Sequence, residues 1–380
     1  MNLDIPHLKY NYTIEDALAA LRRTMHLIRS STPITAFPFD CAASSDIRTG
    51  YIDGRSVRRL VITLRAPGCA WVARSGGCTM CGHYAGTTRG VMPSSDEYVR
   101  QFQRELALYD HHDIDVISIY NSGSMLNQDE VGYSALHKIF EYIHNHTSAK
   151  KIVLESRAEY IDSTVIESLL DILGPKRRLS IAIGLETFDD TIRLLCINKG
   201  CTTAQIERAV GSVKGLVDIQ LYVLLGMPFL AEREALENTV KSLQCARKLG
   251  ADEIHIEPLT LQRFTLAEIL YHEGLLQLPS LYTLYEALRT VVPVIQPYVS
   301  PFHHMPRPDI IPQGCPRCTE RLIDGLLNRY NINRNRENLE YEPCVCLGNW
   351  KKRLEKTDDR PLPQRIIDVL EKVNFGNYGI

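Results

Sequence analysis

Cys69, Cys78 and Cys81 stand in the segment LRAPGCAWVARSGGCTMCGHYAG with the spacing C-x8-C-x2-C. Thiolates grouped this way are ligands for an iron–sulfur cluster, which usually takes four of them. Three local thiolates and no fourth would leave one iron of a 4Fe–4S cluster open to another ligand. Gly76 and Gly77 let the backbone wrap closely around a bulky cluster. Two other readings stay open at this point: a zinc ion with His83 as fourth ligand, and buried structural thiols. A second group holds Cys315 and Cys318 as C-P-R-C and Cys344 and Cys346 as C-V-C. Two thiol pairs on either side of a helix-like segment read as a four-cysteine metal site, with structural zinc the first choice. An auxiliary iron–sulfur cluster is the second, because C-x-C is tighter than the usual C-x2-C, and paired disulfides are the third. Cys41, Cys196, Cys201 and Cys245 read as ordinary small residues, and His303 and His304 as loop residues.

Such ligands act together only if the fold gathers them. Short β-branched runs alternate with longer amphipathic runs. The strand candidates are Arg59–Leu64, Val116–Tyr120, Lys151–Glu155, Leu179–Gly184, Ile219–Leu225 and Glu253–Pro258. Helix candidates fill the gaps near Ser95–Tyr109, Asp129–His144, Ile161–Leu173, Thr203–Lys214 and Ala231–Leu249, with one more at Leu281–Val292. Strands that alternate with helices imply a parallel sheet, because each crossover needs a helix. Unusual residues follow nearly every strand: Cys69, Asn121–Ser124, Glu155–Arg157, Glu186, Gly226–Pro228 and Glu257–Gln262. In parallel α/β folds the C-terminal strand ends form the active face, and many ends converging on one site favour a barrel over a doubly wound sheet.

Residues 1–50 read as an N-terminal extension, with a helix over Ile14–Ser30 capped by Thr13. Residues 51–292 read as the barrel and 293–380 as a C-terminal accessory region. The start MNLDIPHLKY lacks the basic and apolar runs of a secretory signal. No stretch approaches eighteen apolar residues, so no membrane span is expected. Grouped cysteines in a long chain suit a reducing cytoplasm. The net charge of −2 argues against a strongly basic nucleic-acid binder.

The stretches ARSGGCTMCG, YNSGSMLN, LESRAEYI, IGLETFDDTIRLLCINKG and LTLQRFTLAEILYHEGLLQLPSLYTLYE, in this order between Arg59 and Tyr282, carry a family resemblance. Together they resemble radical S-adenosylmethionine (SAM) enzymes of the group containing the elongator catalytic subunit, and most of all the radical subunit of archaeosine synthase and its relatives. The resemblance implies a partial (β/α)6 TIM-like barrel. It implies a 4Fe–4S cluster on Cys69, Cys78 and Cys81, and SAM cleaved reductively to a 5′-deoxyadenosyl radical that abstracts a substrate hydrogen. One residue departs from the pattern: Met80 stands where an aromatic usually packs near adenine, and a flexible thioether fills similar space.

By motif position, Gly123 and Ser124 would bind the methionine amino group, and Arg157 the methionine carboxylate through its planar fork. Glu155 would take ribose hydroxyls, unless it and Glu159 form a structural ion pair with Arg157. Glu186 is a candidate for ribose or substrate, and Gly226, Met227 and Pro228 for the adenine wall. Asn198 and Lys199 end a helix for which Gly200 supplies the cap. His255 and Glu257 alternate onto one strand face and, if that face is the lumen, would be the catalytic pair. Gln262 and Thr265 are candidates for substrate or partner contact.

Two functions from one chemistry follow. One is radical modification of a tRNA base, cleaving a C–N bond in a lysyl adduct made by a partner enzyme. The other is action on a small metabolite, peptide or natural-product precursor. A non-enzymatic zinc scaffold is the reading from another class. A flavodoxin or ferredoxin would supply electrons. Residues 315–353 hold eight basic against five acidic residues, and Tyr330 and Tyr341 could stack on bases.

Overall fold

The computed structural model describes residues 12–380. The start of the N-terminal extension, including the segment read for a secretory signal, lies outside the described residues. Eight strands form one sheet in sequence order: β1 (Ser44–Ile52), β2 (Arg55–Thr63), β3 (Val116–Tyr120), β4 (Lys151–Glu155), β5 (Arg178–Glu186), β6 (Asp218–Leu225), β7 (Glu253–Pro258) and β8 (Tyr298–Val299). β1 and β2 pair antiparallel through the turn at Asp53 and Gly54, whose φ values of 49° and 78° suit a tight hairpin. Every later neighbour is parallel, from β2–β3 to β7–β8.

The sheet curls into a partial barrel. Its edge strands meet through rings: Tyr51 of β1 stacks on Tyr298 of β8 with centroids 3.6 Å apart. The six expected strands appear as β2 to β7. β1 escaped the pattern because SSDIRTGYI is mostly polar, and β8 because it has two residues in a Pro-rich stretch. β1 crosses residue 50, and β8 lies beyond residue 293. Residues outside 51–292 therefore build both edges of the sheet.

Strand alternation sorts the side chains. Leu60, Ile62, Ile117, Ile119, Ile152 and Leu154 face outward into the helix layer. Inward positions hold a small apolar cluster, Val116, Val153 and Ala182, and a polar set that includes Arg59, Ser118, Lys151 and His255.

A second apolar core sits apart from the first. Ala17, Leu21, Met25 and Ile28 form one stripe of helix Ile14–Ser31, and they pack with Ile366, Ile367 and Leu370 of helix Leu362–Lys372. Each such fully buried side chain contributes about 1.5–3 kcal/mol. Thr13 caps the first helix as expected, accepting from Asp16 N at 3.1 Å while Asp16 accepts from Thr13 N at 2.9 Å. The same core takes in Leu195, Cys196, Ile197 and, partly buried, Cys78 and Met80. The two terminal helices thus cover the cysteine loop from outside.

The C-terminal cysteine region is tied to the barrel's helix layer. Trp350 Nε1 donates to Thr283 Oγ1 at 2.8 Å, and Arg353 pairs with Glu232.

Candidate functional site

A cavity of about 570 Å³ opens at the C-terminal strand ends and runs into the lumen. Cys69, Met80, Cys78 and Cys81 line it together with Gly123, Glu155, Arg157, Glu186, His255 and Glu257. The fold therefore gathers onto one space residues that lie up to 188 positions apart (from 69 to 257).

The cysteine loop begins where β2 ends. Cys69 precedes the short helix Ala70–Ser75, which Gly76 closes at φ 77°. Gly76 has no room for a side chain, because a Cβ would lie 2.6 Å from the Met25 backbone. Beyond it, Gly77 turns at φ 83° to bring Cys78 back to the cavity.

Four elements hold the loop by its backbone. Arg29, from helix Ile14–Ser31, donates to Gly76 O at 2.8 Å, Cys78 O at 3.1 Å, Cys81 O at 2.7 Å and Phe264 O at 2.9 Å. Asn198, in the left-handed cap of helix Asp190–Ile197, donates to Ser75 O and Gly77 O, both at 2.8 Å. Gln262 Oε1 accepts from Gly82 N at 2.8 Å. Glu130 accepts from Ala70 N at 2.9 Å and from Ser124 N at 2.6 Å. Asn198 is thus both helix cap and loop clamp, and Gln262 supports the loop.

The three thiols are half-buried on the cavity wall, and desolvation pushes Cys69 and Cys78 up to about 12 and raises Cys81. A thiolate there needs a compensating positive charge, which a bound metal centre supplies. Arg157 offers the clearest vacancy for a ligand. Its Nε donates to Glu159 at 2.6 Å and its guanidinium lies over Trp71 at 5.0 Å, yet its Nη2 is buried with no hydrogen-bond partner. An orphaned guanidinium nitrogen in a buried site is costly unless a ligand completes it. Gly123 also lines the cavity, and the packing of Glu130 requires glycine there, because a Cβ would meet Glu130 Oε2 at 1.9 Å.

Four residues expected at the cofactor, Ser124, Gly226, Met227 and Pro228, do not line the cavity. Ser124 is fully buried, and its Oγ accepts from Arg157 N at 3.1 Å, so it positions Arg157. Gly226 turns the chain outward at φ 89° beneath Pro279, leaving Leu224, Pro258, Leu259 and Thr260 on the wall. Glu186 lies at a register shift of β5 and pairs with Lys199 at 2.9 Å, while Lys199 also donates to Gly184 O at 2.7 Å. Lys199 therefore serves the site and not only the helix end.

Burial raises Glu155 to about 7, with Lys199 opposing and Glu186 adding to the rise. Burial likewise raises Glu257 to about 7, against a hydrogen bond from Ser300. His255 lies between Tyr222 and Tyr298, with centroids at 5.1 and 5.3 Å. Its Nε2 is 3.3 Å from Glu253 Oε2, and burial lowers its pKa despite that carboxylate. The same cavity therefore holds a neutral imidazole, His255, and a carboxyl, Glu257, that exchanges its proton near neutral pH.

The second cysteine group also assembles. The sulfurs of Cys315, Cys318, Cys344 and Cys346 all lie within 4.8 Å of one another. Among the described residues no other three ligand groups gather at single-ion spacing. Tyr330 is not available to stack on a base: it is buried and donates to Pro297 O at 2.9 Å. Tyr341 packs edge-on against Tyr282 and Tyr285, under Arg289.

Sequence reasoning missed Arg29 and Glu130. Arg29 had a faint signal, an arginine four residues after Met25 on an apolar helix stripe. Glu130 had none, because its partners come from two separate loops.

No family model matches the chain. It is 29% identical over 346 residues to archaeosine synthase subunit beta of Methanosarcina acetivorans, covering 89% of this chain and 97% of that protein. It is 28% identical over 247 residues to archaeosine synthase subunit beta of Thermococcus kodakarensis, covering 62% and 73%. Among solved structures, methylornithine synthase is 14% identical with a TM-score of 0.46, covering 77% of this chain and 76% of that one. The two curated relatives bear out the resemblance read from the sequence.

Proposed function

We propose that this chain, a radical SAM enzyme similar to archaeosine synthase subunit beta, acts on a modified base of tRNA by breaking a C–N bond in a lysyl adduct. The observation that carries the cofactor assignment is the buried, unpartnered Nη2 of Arg157 on the same cavity as Cys69, Cys78 and Cys81. When bound, a 4Fe–4S cluster and SAM supply reductive cleavage of SAM to a 5′-deoxyadenosyl radical. The three cysteines hold the cluster and leave one iron for SAM. Arg157 takes the methionine carboxylate, and Gly123 allows the amino end to approach the backbone. Met80 packs beside the cofactor, and Glu155 and Glu186 face the ribose. Glu257 and His255 lie deeper and meet the substrate, with Glu257 able to give or take a proton.

The tRNA reading rests on the relatives' name and on the near full-length match to one of them, the Methanosarcina acetivorans protein. A subunit named beta implies a companion subunit in those proteins, and we assign this chain a tRNA-modifying partner and a flavodoxin- or ferredoxin-type electron donor. No helix among the described residues is long and apolar enough to cross a membrane. That agrees with the cytoplasmic setting proposed here.

We assign zinc to the C-terminal site. Thiolates about 2.3 Å from a tetrahedral zinc lie about 3.8 Å apart, and Cys315 stands 3.7 Å from Cys318 and 3.4 Å from Cys344. A 4Fe–4S cluster would spread its thiolates across a cubane. The zinc would staple the C-terminal region to the barrel.

Anaerobic purification tests both metals. The expected protein is brown, carries about four irons and one zinc per chain, and cleaves SAM under a reductant. It forms product only from tRNA carrying the lysyl adduct. A colourless protein with two zincs refutes the enzyme reading. SAM cleavage without any reaction on tRNA refutes the substrate.

A further inference from the structure

The lumen holds a buried arginine to which the cofactor reading gives no role. Arg59 of β2 lines the cavity and is 9% exposed. Its Cα sits four residues before Thr63, roughly 13 Å deeper along the strand. Its Nε donates to Ser118 Oγ at 2.7 Å, and its Nη2 donates to the Tyr120 hydroxyl. Tyr222, whose hydroxyl is 3.5 Å from that of Tyr120, closes the other side. These partners are all hydroxyls. Burial raises the Tyr222 hydroxyl far above its usual range, so it stays protonated and neutral.

Among the described residues no carboxylate lies within 4.0 Å of the Arg59 guanidinium. Glu253, whose field reaches Arg59, is already bound by Lys151 and His255. An arginine cannot shed its proton to relieve burial. A buried charge that has only neutral partners is a built receptor for an anion. The methionine carboxylate is excluded as that anion, because Arg157 follows β4 beside the cysteine loop and takes it there.

We propose that Arg59 anchors a carboxylate of the substrate at the floor of the cavity, so that the substrate is a molecule bearing a free amino-acid carboxylate. This rests on the reading of the cavity as an active site and deepens it: the lysyl adduct carries such a group, and a plain base does not. Tyr120, Ser118 and Tyr222 hold the guanidinium ready before the substrate arrives. Arg59 is then a specificity-determining residue.

The test compares L-lysine with cadaverine, which differ by one carboxylate, as ligands of the full chain reconstituted with its cluster and saturated with SAM, so that Arg157 is already occupied. Binding is read from the shift in melting midpoint with probe concentration. L-lysine is expected to raise the midpoint and cadaverine not to. Arg59→Gln should weaken L-lysine binding ~100-fold, and Arg59→Lys should weaken it ~10-fold, because the charge remains but the fork is lost. Equal shifts from both probes, no shift from either, or an L-lysine shift that survives Arg59→Gln would each overturn the proposal. The wild-type comparison decides even if a variant does not fold. SAM cleavage without carboxylate selectivity removes this inference alone, whereas carboxylate selectivity without any reaction on tRNA removes the proposed substrate alone.

Discussion

Replacing Arg29 with glutamine should empty the cluster site without touching a cluster ligand. Arg29 is 5% exposed, and its guanidinium serves four carbonyls, three of them in the cysteine loop. A hydrogen bond with a charged partner is worth about 1.5–3 kcal/mol, and a buried acceptor left unpaired costs about 1–3 kcal/mol. These bonds share one group and do not add, so a total of about 4 kcal/mol is expected, at the upper end for one substitution. The loss falls on the loop that must hold Cys78 and Cys81 in place. Iron content after anaerobic reconstitution should drop to less than about a quarter of wild type. The apo protein should unfold at lower denaturant with its m-value unchanged. Arg29→Lys should recover part of the iron, since an ammonium reaches fewer carbonyls. Full iron loading and an unchanged unfolding midpoint in Arg29→Gln would refute the claim that this helix shapes the loop.

Gly123→Ala places a Cβ 1.9 Å from Glu130 Oε2 and 3.1 Å from the Cys69 Cα. It should cost about 1–3 kcal/mol of stability and weaken SAM binding at least ~10-fold, measured by equilibrium binding to the reconstituted protein; unchanged affinity would remove Gly123 from the cofactor site. Burial lifts Glu257 from 4.5 to about 7, so the folded protein holds that proton more tightly than the unfolded chain. Its contribution is complete below pH 4.5 and is lost as the pH climbs to about 7. Glu155 adds to this fall, while His83 and His304, which burial lowers to about 4, oppose it below pH 6.5. Between pH 4.5 and 7 the denaturant midpoint of apo Glu257→Gln should therefore fall less, or rise more, than that of wild type; an identical slope in the variant would count against a buried Glu257.

The cysteine spacings, the six strands β2 to β7 and the loop residues Gly123, Glu155, Arg157 and Glu186 were legible in the chain, because each is a local pattern. Spacing sets which thiols can share a centre, and alternation sets which strand residues share a face. His255 and Glu257 fall on one lumen face for that reason. Only the tertiary structure decided which neighbours complete each group. Ser124 looked like a ligand residue, yet the turn buries it under Arg157 N. Gln262 read as a substrate or partner contact; it lines the cavity and also accepts from Gly82 N. Arg29 and Glu130 carried no role in the sequence, and each meets donors or acceptors from distant segments. Arg59 read as one residue of a strand. Its standing as a buried cation depends on Ser118, Tyr120 and Tyr222, which two other strands, β3 and β6, bring to it. A charge's cost and use are set by what surrounds it in space, and sequence spacing carries no record of that.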